Sequence, residues 1–394
     1  MTRRWWILTV GIAAQASASC YLYGLPFLIP ELQRSTGVSL TAAALRVTAP
    51  VLGLLFALIA WGAAADRYGE RVVMTVGLAA TGTLLLASLA LPGLLLFGAG
   101  LMLAGAAAAS VNAASGRVVL GWFAATERGL AMGLRQTAQP IGVAIAAATL
   151  PAIGQRWGFA PAVALPAVLC LVAALLVLLV VVDPPRPPAP ATGRAPSPYR
   201  HTPAATLLRL HSASAMLVVP QVVSATFAVT YLVSELDWSP VAAGRLVAVV
   251  QIVGAAGRIV AGVWSDRVGN RMGPMRVIAV LAAVTMLLWA VLDSWLAVAA
   301  LAAAMIVSVT DNGLGFTATA ELAGPFWAGR ALGVQNTGQN ILGMVAAPAF
   351  GALITAFGYP VAITAAAVFP LVGAALTPVA GERRLSVGYR RGGS

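Results

Sequence analysis

Twelve apolar stretches limit what this chain can become. They run approximately over 7–29, 40–63, 72–92, 94–116, 130–154, 159–182, 207–233, 240–264, 275–292, 296–320, 331–356 and 360–380. A hydrocarbon core takes roughly 20 apolar residues per helix. Backbone groups in lipid must be satisfied within each segment, so the stretches read as transmembrane helices and the fold class as all-α integral membrane. Composition agrees: 60% of the 394 residues are hydrophobic and 9% are charged, against about 25% charged in a soluble domain. Glycine and alanine crowd runs such as Gly98–Ser115, and small residues let membrane helices approach closely.

The stretches form two sets of six, and the sequence repeats itself at an offset of 200. Gly62–Arg71 (GAAADRYGER) returns as Gly262–Arg271 (GVWSDRVGNR), and Ala131–Gln139 (AMGLRQTAQ) returns as Ala331–Gln339 (ALGVQNTGQ). Internal repeats of this kind mark transporters. The expected division is a six-helix bundle over 1–182, a linker over 183–206, and a second bundle with a short basic tail over 207–394. The linker is rich in Pro and Arg, a composition that stays extended and lacks a core.

All 24 basic residues are arginine, and the net charge is +12. Nucleic acid is one partner such a charge suggests, but its distribution argues for topology. With the N-terminus in the cytoplasm, Arg3, Arg4, Arg67, Arg71, Arg117, Arg128, Arg186, Arg194, Arg200, Arg209, Arg267, Arg271, Arg276, Arg330, Arg383, Arg384, Arg390 and Arg391 all fall inside. Only Arg34 and Arg156 fall in outside loops. This positive-inside pattern predicts both termini in the cytoplasm and a multi-pass protein of the inner membrane, with the bilayer as its partner and no nucleic acid. Arg3, Arg4 and Ala16–Cys20 imitate a secretory signal, but the apolar stretch continues through Tyr21–Pro30, too long for a signal core.

Other chemistry is excluded by what is missing. Cys20 and Cys170 both fall within spans, so neither a disulfide framework nor a metal cluster follows. Connections such as Leu91–Gly93 and Phe357–Pro360 leave no room for a catalytic or nucleotide-binding domain. No phosphate loop, His–Asp–Ser arrangement or metal-ligand spacing is present, so no enzyme activity and no cofactor are expected. Trp5, Trp6 and Trp295 read as membrane-interface anchors, and His201 and His211 as solvated residues in or near the linker.

The charged turn G-x-x-x-D-R-x-G-x-R, with its weaker second copy, resembles the signature of the major facilitator superfamily, and the resemblance covers nearly the whole chain. It implies two pseudo-symmetric six-helix bundles, functional as a monomer, that rock around a central site by alternating access. The turn would then be a conformational latch on the cytoplasmic side, made of Gly62, Asp66, Arg67, Gly69 and Arg71, and of Asp266, Arg267 and Arg271 in the second copy. Asp66 would bond helix N-termini or nearby arginines; Arg67 and Arg71 would pair with acids or face lipid headgroups. Glu70 and Asn270 depart from the usual small or basic residue.

Charges inside the membrane are costly and usually functional. Four arginines fall within spans: Arg46, Arg135, Arg245 and Arg258. Arg46 and Arg245 lie near span ends, where their side chains reach outward or serve structure. Arg258 lies about 12 Å, and Arg135 about 8 Å, from the charged end of its span at 1.5 Å per residue. Gly257–Arg267 resembles the eighth helix of oxalate–formate and monocarboxylate transporters, which implies that Arg258 binds a substrate carboxylate. A guanidinium suits that task through its planar, two-bond fork. Gly133–Gly142 and Asp311–Gln339 resemble the cyanate-permease group. The second basic residue of oxalate exchangers is absent, which favours a singly charged anion.

Arg135, Gln136 and Gln139 share one helical face, as do Gln335, Asn336, Gln339 and Asn340. Such faces line a substrate cavity or bond other helices. Pro140 is expected to kink the fifth helix beside this stripe. Gln15, Tyr21, Tyr23, Asn112 and Gln221 sit where the resembled family lines its cavity; helix packing is the alternative. Asp311, with Asn312 beside it, is the one carboxylate placed deep within a span. It would carry a coupling proton, hold a fixed ion pair with Arg135 or Arg258, or bend its helix. The resulting expectation is a secondary transporter of a small, monocarboxylate-like organic anion with protons. Efflux of drugs or metabolites by proton antiport is the alternative, and a non-transporting receptor or scaffold is the reading from another class.

Overall fold

The computed structural model describes residues 2–184, 196–201, 205–380 and 382. Among them every regular element is helical. Among the described residues, eleven segments are long and apolar enough to cross a membrane. The last, Ala328–Leu376, has 49 residues, about 70 Å at 1.5 Å per residue, over twice a hydrocarbon core of about 30 Å. It is two helices meeting at Gly358, whose φ of 78° and ψ of 170° are not helical and suit a residue without Cβ. Gly158, at the corresponding place of the first half, makes the same turn with φ 89° and ψ 178°.

Twelve spans result, as the apolar pattern predicts. They are α1 (Arg3–Gly24), α2 (Leu40–Tyr68), α3 (Glu70–Ser88), α4 (Gly93–Trp122), α5 (Arg128–Trp157), α6 (Phe159–Val180), α7 (Thr206–Ser234), α8 (Pro240–Val268), α9 (Met272–Val291), α10 (Ser294–Ala323), α11 (328–357) and α12 (359–376). A 3-10 turn, Leu25–Leu28, and a short helix, Ile29–Thr36, prolong α1.

Two spans are interrupted. The first segment of α5 ends at Arg135 and the second begins at Ala138. Proline at 140 has no N–H for the carbonyl of Gln136, so the break falls one turn before the proline rather than at it. Asp311 separates Ser294–Thr310 from Asn312–Ala323 in α10.

The compact units are not the two sequence halves. One comprises Met1–Phe123, Thr137–Gly193 and Gly324–Asn336; the other comprises Ala124–Gln136, Arg194–Ala323 and Thr337–Ser394. Each half therefore lends the other's unit the start of one helix, α5 in one case and α11 in the other. The two lent segments are themselves 200 positions apart, so the division follows the repeat.

Each unit is held by apolar burial and close backbone approach. The first has a core including Leu22, Leu54, Leu78 and Leu101, joining α1 to α4. A Cβ on Gly53 would collide with the carbonyl of Met102, and one on Gly105 with that of Pro50, so these glycines let α2 and α4 touch. The second has one cluster around Val223, Trp289, Leu301 and Ile363, and another around Leu210, Met275 and Leu314. Large apolar side chains also point outward, Phe56 at 79% and Leu95 at 82% exposure. Such surface fits lipid.

His211 corrects an expectation. It is buried, and its ring nitrogen lies 3.1 Å from the Tyr199 hydroxyl. Burial pushes the Tyr199 phenol up to about 12, so it stays protonated beside the imidazole. Trp5 packs edge-on against Phe123, whereas Trp6 and Trp295 are exposed. Most of the linker (185–195 and 202–204) and the basic tail with Arg383, Arg384, Arg390 and Arg391 lie outside the described residues, as do Arg186 and Arg194.

Candidate functional site

The charged turn of the first unit closes α2 onto the start of α11. The Asp66 side chain, 2% exposed, accepts the backbone N–H groups of Gly329 and Arg330 at 2.8 and 3.1 Å. Those donors belong to a helix N-terminus, where the helix dipole favours negative charge. Gly62 permits the approach, since a Cβ there would strike the carbonyl of Gly329. Arg117 of α4 pairs with Asp66 at 2.8 Å and with Glu70 at 2.9 Å. It also donates to the carbonyls of Ala65 and Pro325 at 2.9 and 3.0 Å. In place of an acid, the guanidinium of Arg71 takes the Leu178 carbonyl at the end of α6, while its backbone N–H meets Asp183 at 2.8 Å. Arg67 is exposed, 5.2 Å from the Tyr68 ring. Gly69, with φ 97°, makes the turn, and a Cβ there would meet the Asp183 carboxylate.

The second copy repeats this plan with different arginines. Asp266 accepts the N–H groups of Gly129 and Leu130, both at 2.9 Å, at the start of α5. Gly262 and Gly129 let those backbones meet. Here Arg271, from the turn itself, pairs with Asp266 and reaches Ser265 at 2.8 Å and Glu321 at 3.4 Å. Burial opposes its charge, but Glu321 and Asp266 outweigh burial and hold Arg271 above the ordinary arginine range. Arg128 also reaches Glu321 at 3.4 Å, and Arg267 is exposed. Glu382, beyond α12, accepts from the backbone N–H groups of Arg271 and Met272 at 2.6 and 2.9 Å. It caps α9 as Asp183, beyond α6, caps α3.

Pattern reading assigns no site role to Arg117, Asp183, Glu321 or Glu382, and marks Glu70 only as a departure from the usual residue of the turn. Their signal is an acid or arginine at the edge of an apolar run, which topology alone accounts for.

The deeper intramembrane charges, Arg135, Arg258 and Asp311, lie in the second unit. Arg135 is 2% exposed and Arg258 is 8% exposed. Arg135 donates to the Gln136 side-chain oxygen at 2.6 Å, and its guanidinium lies 5.6 Å from the Phe316 ring centre. Arg258 donates to the backbone carbonyl of Gln136 at 2.6 Å, while its Nε is buried without an acceptor. Asp311, 2% exposed, sits at the α10 break. Its own carbonyl accepts from Leu314 and Gly315 at 2.9 and 3.1 Å. Among the described residues it makes no salt bridge, so neither arginine pairs with it directly. Asn312 donates to Gln221 at 3.1 Å, and Gln339 to the Ser214 carbonyl at 3.4 Å.

The other candidates lie in the first unit. Gln15 donates to Asn112 at 3.0 Å and accepts from Ser115 at 2.9 Å, joining α1 to α4. Tyr21 donates to the Leu101 carbonyl, and Tyr23 is half-buried against the same core. Gln335 is buried, and Asn336 bonds the Leu332 carbonyl of its own helix at 3.0 Å. Gln139 is exposed: beyond the break, it does not continue the buried face of Arg135. Arg46 is held by the Leu94 carbonyl at 3.1 Å, a structural contact, and Arg245 is exposed.

Twelve apolar spans, a duplicated charged turn and buried intramembrane charges define a multi-pass membrane transport protein. The chain belongs to the Major Facilitator Superfamily, whose sequence profile matches residues 8–348 and 214–386. An uncharacterised MFS-type transporter of Mycobacterium tuberculosis (strain H37Rv) is 43% identical over 381 residues, covering 95% of this chain and 85% of the relative. Its counterpart in strain CDC 1551 is equally similar. Solved structures share the fold. The transporter FucP in the outward conformation has a TM-score of 0.74 at 14% identity, over 94% of this chain and 98% of its own. The human organic anion transporter MFSD10 gives 0.73 at 15%, over 96% and 100%. The proton:xylose symporter XylE gives 0.75 at 13%, over 94% of each chain. Family and fold are those of transporters, not enzymes.

Proposed function

We propose that this transporter moves a small organic anion, monocarboxylate-like in size and charge, by alternating access with proton coupling. One observation carries the reading: the second unit buries the two guanidiniums of Arg135 and Arg258 at the break of α5, and Arg258 keeps an Nε without an acceptor. A buried cation in a membrane is expensive unless it is satisfied, and a carboxylate satisfies it with two charge-assisted bonds. Asp311, buried at a helix break without a salt bridge, is the proton carrier of the proposal. Arg258 would play the part of the eighth-helix arginine of oxalate–formate and monocarboxylate transporters.

Fold likeness alone does not choose between sugar and organic-anion cargo, since it extends to transporters of both; the buried arginines favour the anion. The charged turns serve as latches on the cytoplasmic side of the inner membrane, with both termini in the cytoplasm, as the arginine distribution supports. The deciding experiment is counterflow of labelled formate, lactate and benzoate in proteoliposomes containing wild type or Arg258→Ala. Arg258-dependent exchange of at least one supports the reading. Equal exchange by both proteins, or none by wild type, removes it.

A further inference from the structure

Gln136 engages both buried guanidiniums at once. Its backbone oxygen takes Arg258 and its side-chain oxygen takes Arg135, each at 2.6 Å. The backbone oxygen is available because Pro140, four residues on, has no N–H to return to it. The second half lacks this device. Position 340 is asparagine, α11 runs without a break at 336, and Asn336 spends its side chain on the Leu332 carbonyl. Both bonds end on oxygens that carry no charge. The charge in these bonds comes from the arginines alone, whereas a carboxylate adds the opposite charge and a two-bond fork.

We propose that Gln136 is an internal substitute for the cargo. With the site empty, its two carbonyl oxygens stand where the two oxygens of a small carboxylate would stand, and the arriving anion displaces them. This rests on the reading of Arg135 and Arg258 as anion-holding groups. It adds a reason for the helix break: the proline keeps one oxygen out of the helix ladder for Arg258. It also sets affinity, because every bound anion competes with an intramolecular ligand. That competition gives each arginine an acceptor in the empty carrier and keeps cargo from binding too tightly to leave.

The test uses purified full-length protein and sodium formate, with sodium chloride at equal ionic strength as control, read by thermal unfolding. Gln136→Leu should lower Tm and bind formate more tightly than wild type. Loss of a competing hydrogen bond to a charged group should raise formate affinity roughly tenfold or more. Pro140→Ala, which restores an N–H to the Gln136 carbonyl, should shift affinity the same way. Gln136→Glu, close in shape and placing a carboxyl group beside both guanidiniums, should raise Tm and abolish the formate response. Equal formate affinity in wild type, Gln136→Leu and Pro140→Ala overturns the proposal, as does an undiminished response in Gln136→Glu. If no carboxylate is transported yet formate behaves as described, the cargo assignment fails and the role of Gln136 stands. Arg258-dependent carboxylate transport with no change across the Gln136 variants is the opposite result.

Discussion

A guanidinium carries five donors, and a membrane interior offers few acceptors. Arg258 has found one, the carbonyl of Gln136, and leaves its Nε buried without another. If an anion completes that set, charge and fork geometry should both matter. Arg258→Ala should reduce counterflow to the level of empty liposomes, while Arg258→Lys, which keeps charge but loses the fork, should retain a weak activity with a raised KM. Equal activities of the lysine variant and wild type would show that charge alone suffices. Asp311 poses a separate question, since it forms no salt bridge with either arginine. Asp311→Asn keeps the shape and removes the titrating group. Accumulation driven by a pH gradient should vanish while exchange of anion for anion persists. Accumulation at the wild-type level would exclude Asp311 as the proton carrier.

Helices explain why some partners were legible in the sequence and others were not. The apolar runs locate the spans because lipid tolerates little else, and the aspartates of the turns stand out because they recur. What they bond was hidden, since Arg117 lies in α4, far along the chain, among apolar neighbours. Along the polar stripe of α5, Arg135 is buried and Gln139 exposed, for a related reason. A periodicity holds only while the helix does, and α5 breaks after Arg135. Arg117 serves two carboxylates in one buried cluster. Removing one partner of a buried pair costs about 3–5 kcal/mol, so Arg117→Leu should lower Tm far more than Arg67→Leu, whose side chain is exposed. Equal shifts would contradict the pairing. The cap of α9 carries a pH signature. Burial raises the Glu382 carboxyl above its ordinary 4.5, with two backbone N–H groups offsetting part of the rise. A carboxyl raised in the folded state costs stability as pH climbs from that ordinary value through the folded one. Glu382→Gln keeps the acceptor oxygen without the charge, so Tm should fall less between acid and neutral pH than in wild type. Parallel profiles would show that Glu382 ionises without cost.

At the scale of the whole molecule, the repeat governs more than ancestry. The two lent segments, Ala124–Gln136 and Gly324–Asn336, are related by the same offset of 200 as the charged turns. Each is gripped near its start by the aspartate of one turn. Asp266 takes Gly129 and Leu130, and Asp66 takes Gly329 and Arg330. A close backbone approach through glycine accompanies both grips. The aspartate therefore acts as a helix cap supplied from another helix, and the glycine as its clearance. Loss of a cap costs about 1 kcal/mol, which is about a fivefold change in a local opening equilibrium. Hydrogen exchange can read that change segment by segment. Asp266→Ala should speed amide exchange over 128–135 and leave 328–336 as in wild type. Asp66→Ala should do the reverse. Each variant should also slow transport, because a latch that no longer holds one segment leaves the carrier's states unevenly populated. Exchange unchanged in both segments would separate the aspartates from the helices they cap. Exchange accelerated in both by either variant would mean that the two grips act as one cooperative element rather than as two independent copies.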